Sequence, residues 1–206
     1  MKIRLENVGK RYIYNWIFRK VNAHFDSPVH YGILGNNGSG KTTLLKIISG
    51  ILPPTEGKIK WQLNDQDLSD SLPKRIGWAS PHLELIEDFN LKEILVFHAK
   101  FKSWVGNHNV ESLIDLSGLR KSIDKPLKYY SSGMKQRVKL VLAVMSDAEL
   151  IILDEPCTNL DEHSINWYRN LLNQYAMERL VIIGSNDPDN ECFSCREFFT
   201  LENTTK

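Results

Sequence analysis

Eight consecutive residues near the start of the chain carry the clearest chemical signal in the sequence. Residues 35–42 read GNNGSGKT and match the phosphate-loop (Walker A) pattern G-x-x-x-x-G-K-[ST] at every required position. Its three glycines permit backbone conformations in which N–H groups turn toward nucleotide phosphates. Lys41 adds a cation, and the hydroxyl of Thr42 suits a magnesium ion. The predicted nucleotide-binding residues here are Gly35, Asn36, Asn37, Gly38, Ser39, Gly40, Lys41, Thr42 and Thr43.

The elements that flank this loop agree with that prediction. The apolar run Val29 to Leu34 leads into the loop as a buried strand would, and residues 44–48 have the apolar spacing of a helix that stops at Gly50. Such a helix directs the positive end of its dipole at bound phosphate. The strand and the helix favour a nucleoside triphosphate site over a glycine-rich turn that matches by chance.

A second candidate element is a short apolar strand that ends in two carboxylates. Leu150 to Leu153 precede Asp154, Glu155 and Pro156. Carboxylates at the mouth of a buried parallel strand are costly unless they are used. Asp154 is predicted to hold magnesium, and Glu155 to orient or deprotonate the attacking water. The pair indicates hydrolysis as well as binding, with a simple polar strand exit as the alternative.

Between these two motifs lies Tyr130 to Arg137, YSSGMKQR, followed by an apolar helix from about Val138 to Met145. With the phosphate loop before it and the acidic strand after it, the chain resembles the ATP-binding cassette (ABC) family. The signature of that family reads Leu-Ser-Gly-Gly-Gln followed by x-Gln-Arg. The matching residues are Ser131, Gly133, Gln136 and Arg137, and the departures are Tyr130, Ser132 and Met134.

A hydroxyl and free backbone donors at the start of a helix form a sensible anion site. The resemblance therefore implies that Ser131, Ser132 and Gly133 contact a nucleotide, with an ordinary capped helix as the alternative. It also implies that Tyr12 stacks on adenine, where Tyr14 and Trp16 are rivals and plain packing is the alternative.

Further resemblance places Thr158, Asn159, Leu160 and Asp161 in the loop through which two cassettes sense each other. Asp161 is equally well placed to cap the helix that runs through Ile165 to Leu172. The sequence leaves both roles open.

Two positions depart from the family pattern. After the strand Arg75 to Ala79, where the family has a magnesium-contacting glutamine, the chain reads Ser80, Pro81 and His82, and Pro81 aligns best. After the strand Leu180 to Ile183, Asn186 stands where the family has a histidine that contacts the γ-phosphate. Asn186 donates a hydrogen bond but carries no positive charge. The resemblance thus implies catalysis by Glu155, Lys41 and Asn186 with slow turnover.

The predicted fold class is α/β: a P-loop NTPase core with a mixed parallel sheet, an N-terminal antiparallel β subdomain and an inserted α-helical subdomain. We expect one domain over residues 1–206, with the core in 1–80 and 136–206 and the helical subdomain in 81–135. Early strands alternate in hydrophobicity and later ones are continuously apolar. The expected strands are Lys2 to Val8, Ile17 to Phe25, Val29 to Leu34, Lys58 to Leu63, Arg75 to Ala79, Leu150 to Leu153, Leu180 to Ile183 and Glu197 to Leu201.

The amino-acid composition limits the classes of function that we expect for this chain. Of the 206 residues 42% are hydrophobic and 25% are charged, which is ordinary for a globular domain. The formal net charge of +1 gives no reason to expect a nucleic-acid partner, and no apolar stretch approaches the roughly 18 residues of a membrane span. Cys192 and Cys195 have C-x-x-C spacing, but scattered histidines argue against a zinc site. A cytoplasmic protein is expected.

The resemblance implies a mechanism. Two cassettes pair head to tail around ATP and Mg²⁺, held by Thr42 and Asp154, and hydrolysis drives separate integral membrane permease subunits. The chain would be peripheral on the cytoplasmic face. Its candidate docking patch is formed by Leu83, Leu85, Ile86 and Phe89, with core packing as the alternative for about half of them. The alternatives are a soluble cassette ATPase that acts without a membrane partner and a regulatory cassette that scarcely hydrolyses ATP.

Overall fold

The computed structural model describes residues 1–201, and residues 202–206 of the predicted domain lie outside the described part. Its regular elements alternate along the chain in a pattern that builds two sheets. The strands are β1 (Lys2–Tyr12), β2 (Asn15–Asp26), β3 (His30–Leu34), β4 (Glu56–Leu63), β5 (Gln66–Asp67), β6 (Ile76–Ala79), β7 (Leu150–Asp154), β8 (Leu180–Ser185) and β9 (Glu197–Thr200). The α-helices are α1 (Lys41–Ile48), α2 (Leu91–Ala99), α3 (Val110–Ser117), α4 (Ser132–Met145), α5 (Glu162–Tyr175) and α6 (Pro188–Glu191).

Four strands form an antiparallel sheet in the order β2-β1-β4-β5. In β1 and β2, buried apolar residues recur at short intervals between exposed polar ones, which is the pattern of strands with one covered face. Ile3, Leu5, Phe18 and Phe25 join a hydrophobic cluster that also receives α1 and one face of the second sheet. The antiparallel sheet therefore packs directly onto the helix that follows the phosphate loop.

Five strands form the second sheet, in the order β6-β7-β8-β3-β9, and its pairings are parallel. β7 and β8 are buried along their whole length, as expected for central strands covered on both faces. The carboxyl ends of β3, β6, β7 and β8 meet at one edge. The crossover order therefore gathers the loops after these four strands at a common edge.

The segment between β6 and α4 is helical and has its own packing. α2 and α3 each begin with an asparagine whose side chain forms a reciprocal capping box, at Asn90 and Asn109. α3 ends at Gly118, which takes the left-handed conformation. The buried faces of both helices join the cluster that covers the other side of the parallel sheet. Among residues 1–201, no helix is long and apolar enough to cross a membrane.

All eight expected strands are present, α2 and α3 lie in the segment expected to be helical, and the helix expected through Ile165 is α5. Asp161 caps α5, because its Oδ1 accepts a hydrogen bond from the N–H of Ser164 at 2.8 Å. The helix expected from Val138 begins earlier, at Ser132, so it includes most of the signature segment. The two-residue strand β5 and the one-turn helix α6 were not anticipated, since elements this short have no periodicity to detect.

Candidate functional site

The phosphate loop turns from β3 into α1 with a backbone that only glycine accommodates at Gly40. This residue has φ 100°, and a Cβ atom added there would lie 2.4 Å from Cγ2 of Ile17 on β2. No side chain caps the first turn of α1. The N–H groups of that turn therefore remain available to an anion at the positive end of the helix.

Lys41 is folded back over the loop to which it belongs. Its Nζ donates hydrogen bonds to the carbonyl oxygens of Gly35 at 2.7 Å and Asn36 at 3.2 Å, and the residue is only 5% exposed. This conformation keeps the ammonium group beside the space enclosed by the loop. A phosphate that entered the loop would meet a cation already in place.

Asp154, at the end of β7, contacts the first helix after the phosphate loop. Its Oδ2 accepts hydrogen bonds from Thr42 Oγ1 at 2.7 Å and from Ser80 Oγ at 3.2 Å. Burial raises the pKa of this carboxyl, and the two hydrogen bonds partly oppose that effect. Its Oδ1 is buried and has no hydrogen-bond partner among the described residues. A carboxylate beside a hydroxyl, with one oxygen unsatisfied, is a donor set that fits a hydrated magnesium ion.

Glu155 and Asn186 come together beside the loop. Glu155 has φ 44°, a left-handed conformation unusual for its residue type, and its N–H donates to the carbonyl of Gly184 at 2.8 Å. Asn186 Nδ2 donates to Asn37 Oδ1 at 2.8 Å and lies 3.4 Å from Glu155 Oε1. Glu155 Oε2 lies 3.5 Å from the hydroxyl of Thr158. Asn186 therefore joins the phosphate loop to the acidic strand.

Glu155 and residues of the phosphate loop border a cleft of about 420 Å³, and Asp154 and Asn186 are absent from its described lining. Ile17 and His82 were not predicted as lining residues. His82 follows a strand that ends in the site by three residues, so its imidazole was a usable signal. The lining residues are Ile17, Asn37, Gly38, Gly40, Lys41, Thr42, Thr43, His82 and Glu155.

Pro81 itself is absent from the described lining of the cleft. Its carbonyl oxygen accepts a hydrogen bond from Lys139 Nζ at 2.7 Å, and Ser80 O lies 3.2 Å from the same atom. Burial lowers the pKa of Lys139. The one polar group that Pro81 could offer a magnesium ion is therefore already bonded to a lysine of α4.

The aromatic residues near the end of β1 lie outside the described cleft lining. Tyr12 is 47% exposed, with Lys10 Nζ 5.4 Å from the centre of its ring. The guanidinium groups of Arg11 and Arg19 lie 5.2 and 4.2 Å from the ring of Trp16. Two guanidinium groups lie against the ring of Trp16 and one ammonium group lies near that of Tyr12, so Tyr12 keeps more of its ring for a base and remains the better stacking candidate of the two.

The signature residues do not meet the phosphate loop within this chain. Ser131 caps α4 by accepting a hydrogen bond from the N–H of Met134 at 3.2 Å, and both Ser131 and Ser132 are exposed. A Cβ atom on Gly133 would lie 2.6 Å from the carbonyl oxygen of Asn159, so the backbones approach closely there. None of the three serine and glycine residues lines the cleft described above. The predicted nucleotide contacts thus fall on two separate surfaces.

Comparison with known proteins decides the family. Residues 18–158 match the family model described as ABC transporter, which is more than half of the chain. The chain belongs to this family. The bacitracin transport ATP-binding protein BcrA of Enterococcus faecalis is 33% identical over 177 residues, which cover 85% of this chain and 58% of BcrA. The chain therefore spans less than two thirds of the length of that ABC relative.

Solved structures agree with this assignment at the level of the fold. An ATP-binding subunit of an ABC transporter superposes with a TM-score of 0.83 at 24% identity, covering 98% of this chain and 87% of the other. A dimeric ATP-binding cassette in a post-hydrolysis state with ADP and Pi gives 0.82 at 23% identity, covering 98% and 94%. The family model confirms the predicted family, and the solved structures confirm the predicted fold class. ABC ATP-binding domains are ATPases as a class.

Proposed function

We propose that this chain binds ATP with Mg²⁺ and hydrolyses it slowly, within an ABC transporter whose membrane subunits are separate chains. The observation that carries the proposal is the junction of three motifs at one edge of the parallel sheet. Thr42 bonds to Asp154, and Asn186 lies between Asn37 and Glu155. The phosphate loop, the acidic strand and the last loop of the site are therefore preassembled around one cleft.

Thr42 and Asp154 are the residues that would hold magnesium, and the unsatisfied Oδ1 of Asp154 supports that assignment. Bound there, the ion would neutralise charge on the β- and γ-phosphates. Lys41 stabilises the same phosphates from the loop, and Tyr12 is the proposed base-stacking residue. Each of these groups binds or orients the nucleotide; none performs proton transfer.

Glu155 is the proposed catalytic base. Its carboxylate lines the cleft, and the neighbouring amide of Asn186 holds it toward the phosphate loop. Asn186 orients but cannot supply the charge or the proton exchange of a histidine. We propose slow turnover because asparagine replaces the family's histidine at position 186 and because the carbonyl of Pro81 is already bonded to Lys139.

The second half of the nucleotide site would come from another cassette. Ser131, Ser132 and Gly133 stand at the exposed start of α4, where a hydroxyl and the positive helix end favour an anion. We propose that they contact ATP held by the phosphate loop of a paired copy or close relative. Binding would then close the pair, and hydrolysis would release it.

The proposed membrane partner would bind near the segment that follows His82. Leu83 and Ile86 are 37% and 41% exposed, whereas Leu85 and Phe89 pack against the hydrophobic cluster of the helical subdomain. The docking patch therefore reduces to Leu83 and Ile86. This arrangement would place the chain on the cytoplasmic face of a membrane through its permease subunits.

A regulatory cassette with little hydrolysis is the second candidate, and the same two departures at Pro81 and Asn186 favour it. Steady-state phosphate release by the wild type and by Glu155→Gln separates the two proposals. A catalytic cassette loses its activity in the variant and keeps its affinity for ATP in calorimetry. Equal background rates in both proteins, with normal ATP binding, would identify the regulatory form. No ATP binding by the wild type and no change in Lys41→Ala would refute both.

A further inference from the structure

One peptide group after the acidic strand is held from both sides by buried side chains. The carbonyl oxygen of Pro156 accepts a hydrogen bond from Gln136 Nε2 at 2.9 Å. The N–H of Cys157, which belongs to the same peptide unit, donates to Glu191 Oε1 at 3.0 Å. Gln136 and Glu191 are 3% and 2% exposed. Because a buried polar group is costly to leave unpaired, these two bonds fix the orientation of the Pro156–Cys157 peptide, which begins one residue after Glu155.

The carboxylate of Glu191 also reaches the loop that carries Asn186. Its Oε2 accepts a hydrogen bond from Ser185 Oγ at 2.5 Å, and Ser185 Oγ accepts one from the N–H of Asp187 at 3.0 Å. Ser185 is fully buried. Ser185 and Asp187, the residues on either side of Asn186, are therefore joined through the Ser185 hydroxyl, which is itself bonded to Glu191.

The other end of this chain of contacts lies on the signature helix. Gln136 is on α4, less than one turn after Gly133, so both move with the same helix. Gly133 lies against the backbone of Asn159, in the loop that follows Cys157. A displacement of the start of α4 therefore acts directly on the Pro156–Cys157 peptide.

We infer that Gln136, Glu191 and Ser185 are positioning residues that form a hydrogen-bonded relay from the signature helix to the catalytic edge of the same chain. Through this relay, the position of α4 sets the geometry of Asn186 and of the Pro156–Cys157 peptide. In the proposed dimer, where α4 contacts the partner's nucleotide, the relay links the two nucleotide sites. The functional part of this inference rests on the proposed function; the structural linkage does not.

The first test measures the linkage without using hydrolysis. Gln136→Leu removes the amide that holds Pro156, and hydrogen–deuterium exchange is followed in residues 155–160 and 184–190 with ATP present. The relay predicts faster exchange in both segments. Faster exchange in residues 155–160 alone would overturn it. Gln174→Leu, at an exposed position of α5, is the matched control and should change neither segment.

Ser185→Ala probes the relay from its other end, with a smaller change that protects the test against misfolding. This variant must disturb residues 184–190, where the hydroxyl is lost. The relay further predicts faster exchange in residues 155–160, because Glu191 loses a partner that fixes its position. Unchanged exchange in residues 155–160 would count against the inference.

The second test separates positioning from general destabilisation. Gln136→Leu and Glu191→Gln should each lower kcat by roughly tenfold while KM for ATP stays nearly constant, because misplacement affects the reacting geometry rather than binding. The double variant should be no slower than the slower single variant. Independent multiplication of the two losses would refute the relay. Glu178→Gln is the matched exposed control. If the wild type released no phosphate, the proposed function would fail while the exchange experiment still decided the relay.

Discussion

The nucleotide cleft and the start of α4 differ in what their polar groups contact. In the cleft, Thr42 bonds to Asp154 and Asn186 bonds to Asn37, so each motif is oriented by another. At the start of α4, the hydroxyl of Ser131 caps its own helix, and Ser132 is exposed. The polar groups of the cleft are oriented by contacts within a single chain, whereas the start of α4 is an exposed surface.

We expect this difference to separate nucleotide binding, which a single chain can perform, from catalysis in the proposed pair. A cleft whose ligands are already positioned can bind its nucleotide in a single chain, because little ordering is needed on association. An exposed helix start gains its function when an anion is brought to it by another molecule. We therefore expect substitutions in the cleft to alter an isolated chain, and substitutions at the start of α4 to alter only the paired state.

The largest effect is expected from Asp154→Asn. The amide preserves the size of the side chain and an acceptor for Thr42 but removes the charge proposed to hold magnesium. Phosphate release should fall by roughly a hundredfold or more. Calorimetry should show that added Mg²⁺ no longer strengthens ATP binding by the isolated chain. A variant that kept its magnesium dependence would place the ion elsewhere.

Ser131→Asp tests the other region and should have the next largest effect. Aspartate caps a helix as well as serine does, so α4 should remain intact. Its charge, however, would face the γ-phosphate held by a partner, and such a like-charge contact is unfavourable. Phosphate release and ATP-dependent pairing should therefore fall by about a hundredfold or less, while the isolated chain binds ATP normally.

Ser131→Asn is the control for that experiment, since it keeps the cap without the charge. It should retain most of the activity. If Ser131→Asp weakened ATP binding by the isolated chain as much as it weakened pairing, the two regions would not be separate, and the comparison above would break down.

Most residues that border the cleft could be predicted from the sequence, because they lie in short contiguous patterns. The phosphate loop, Asp154 and Glu155 follow strands that are continuously apolar, and parallel strands bring their carboxyl ends together. Ile17 was missed because it belongs to another sheet and reaches the loop only through packing. His82 was missed because Pro81, whose carbonyl is bonded to Lys139, is the residue that corresponds best to the family's glutamine.

The relay could not be predicted from the sequence for a different reason. Gln136, Cys157 and Glu191 are far apart along the chain, and their contact depends on the side chains that meet behind the sheet edge. A helix of four residues is too short to show a hydrophobic periodicity, so the sequence gives no sign that its glutamate is buried. Only the packed structure reveals its burial.

Asn186→His is expected to have a smaller effect, in the opposite direction. Asn186 is exposed and borders both Asn37 and Glu155, so an imidazole has room and would add a group that can carry charge near neutral pH. Phosphate release should rise by roughly tenfold. Asn186→Ala should lower it, and an unchanged rate in both variants would remove this residue from the proposed mechanism.

At the buried end of the relay we expect a pH-dependent effect on stability. Burial raises the pKa of Glu191 from 4.5 to about 7, opposed by its bonds to Ser185 and Cys157, and the nearby carboxylates of Glu155 and Asp187 raise it further. The folded protein therefore binds this proton more tightly than the unfolded chain, so the free energy of unfolding decreases as pH rises from about 4.5 through 7. Glu191→Gln abolishes this titration. Between about pH 5 and pH 8, urea unfolding should show the variant gaining up to about 3 kcal/mol relative to the wild type. Parallel pH dependence in the two proteins would mean that the Glu191 carboxyl does not take up a proton on folding in this range.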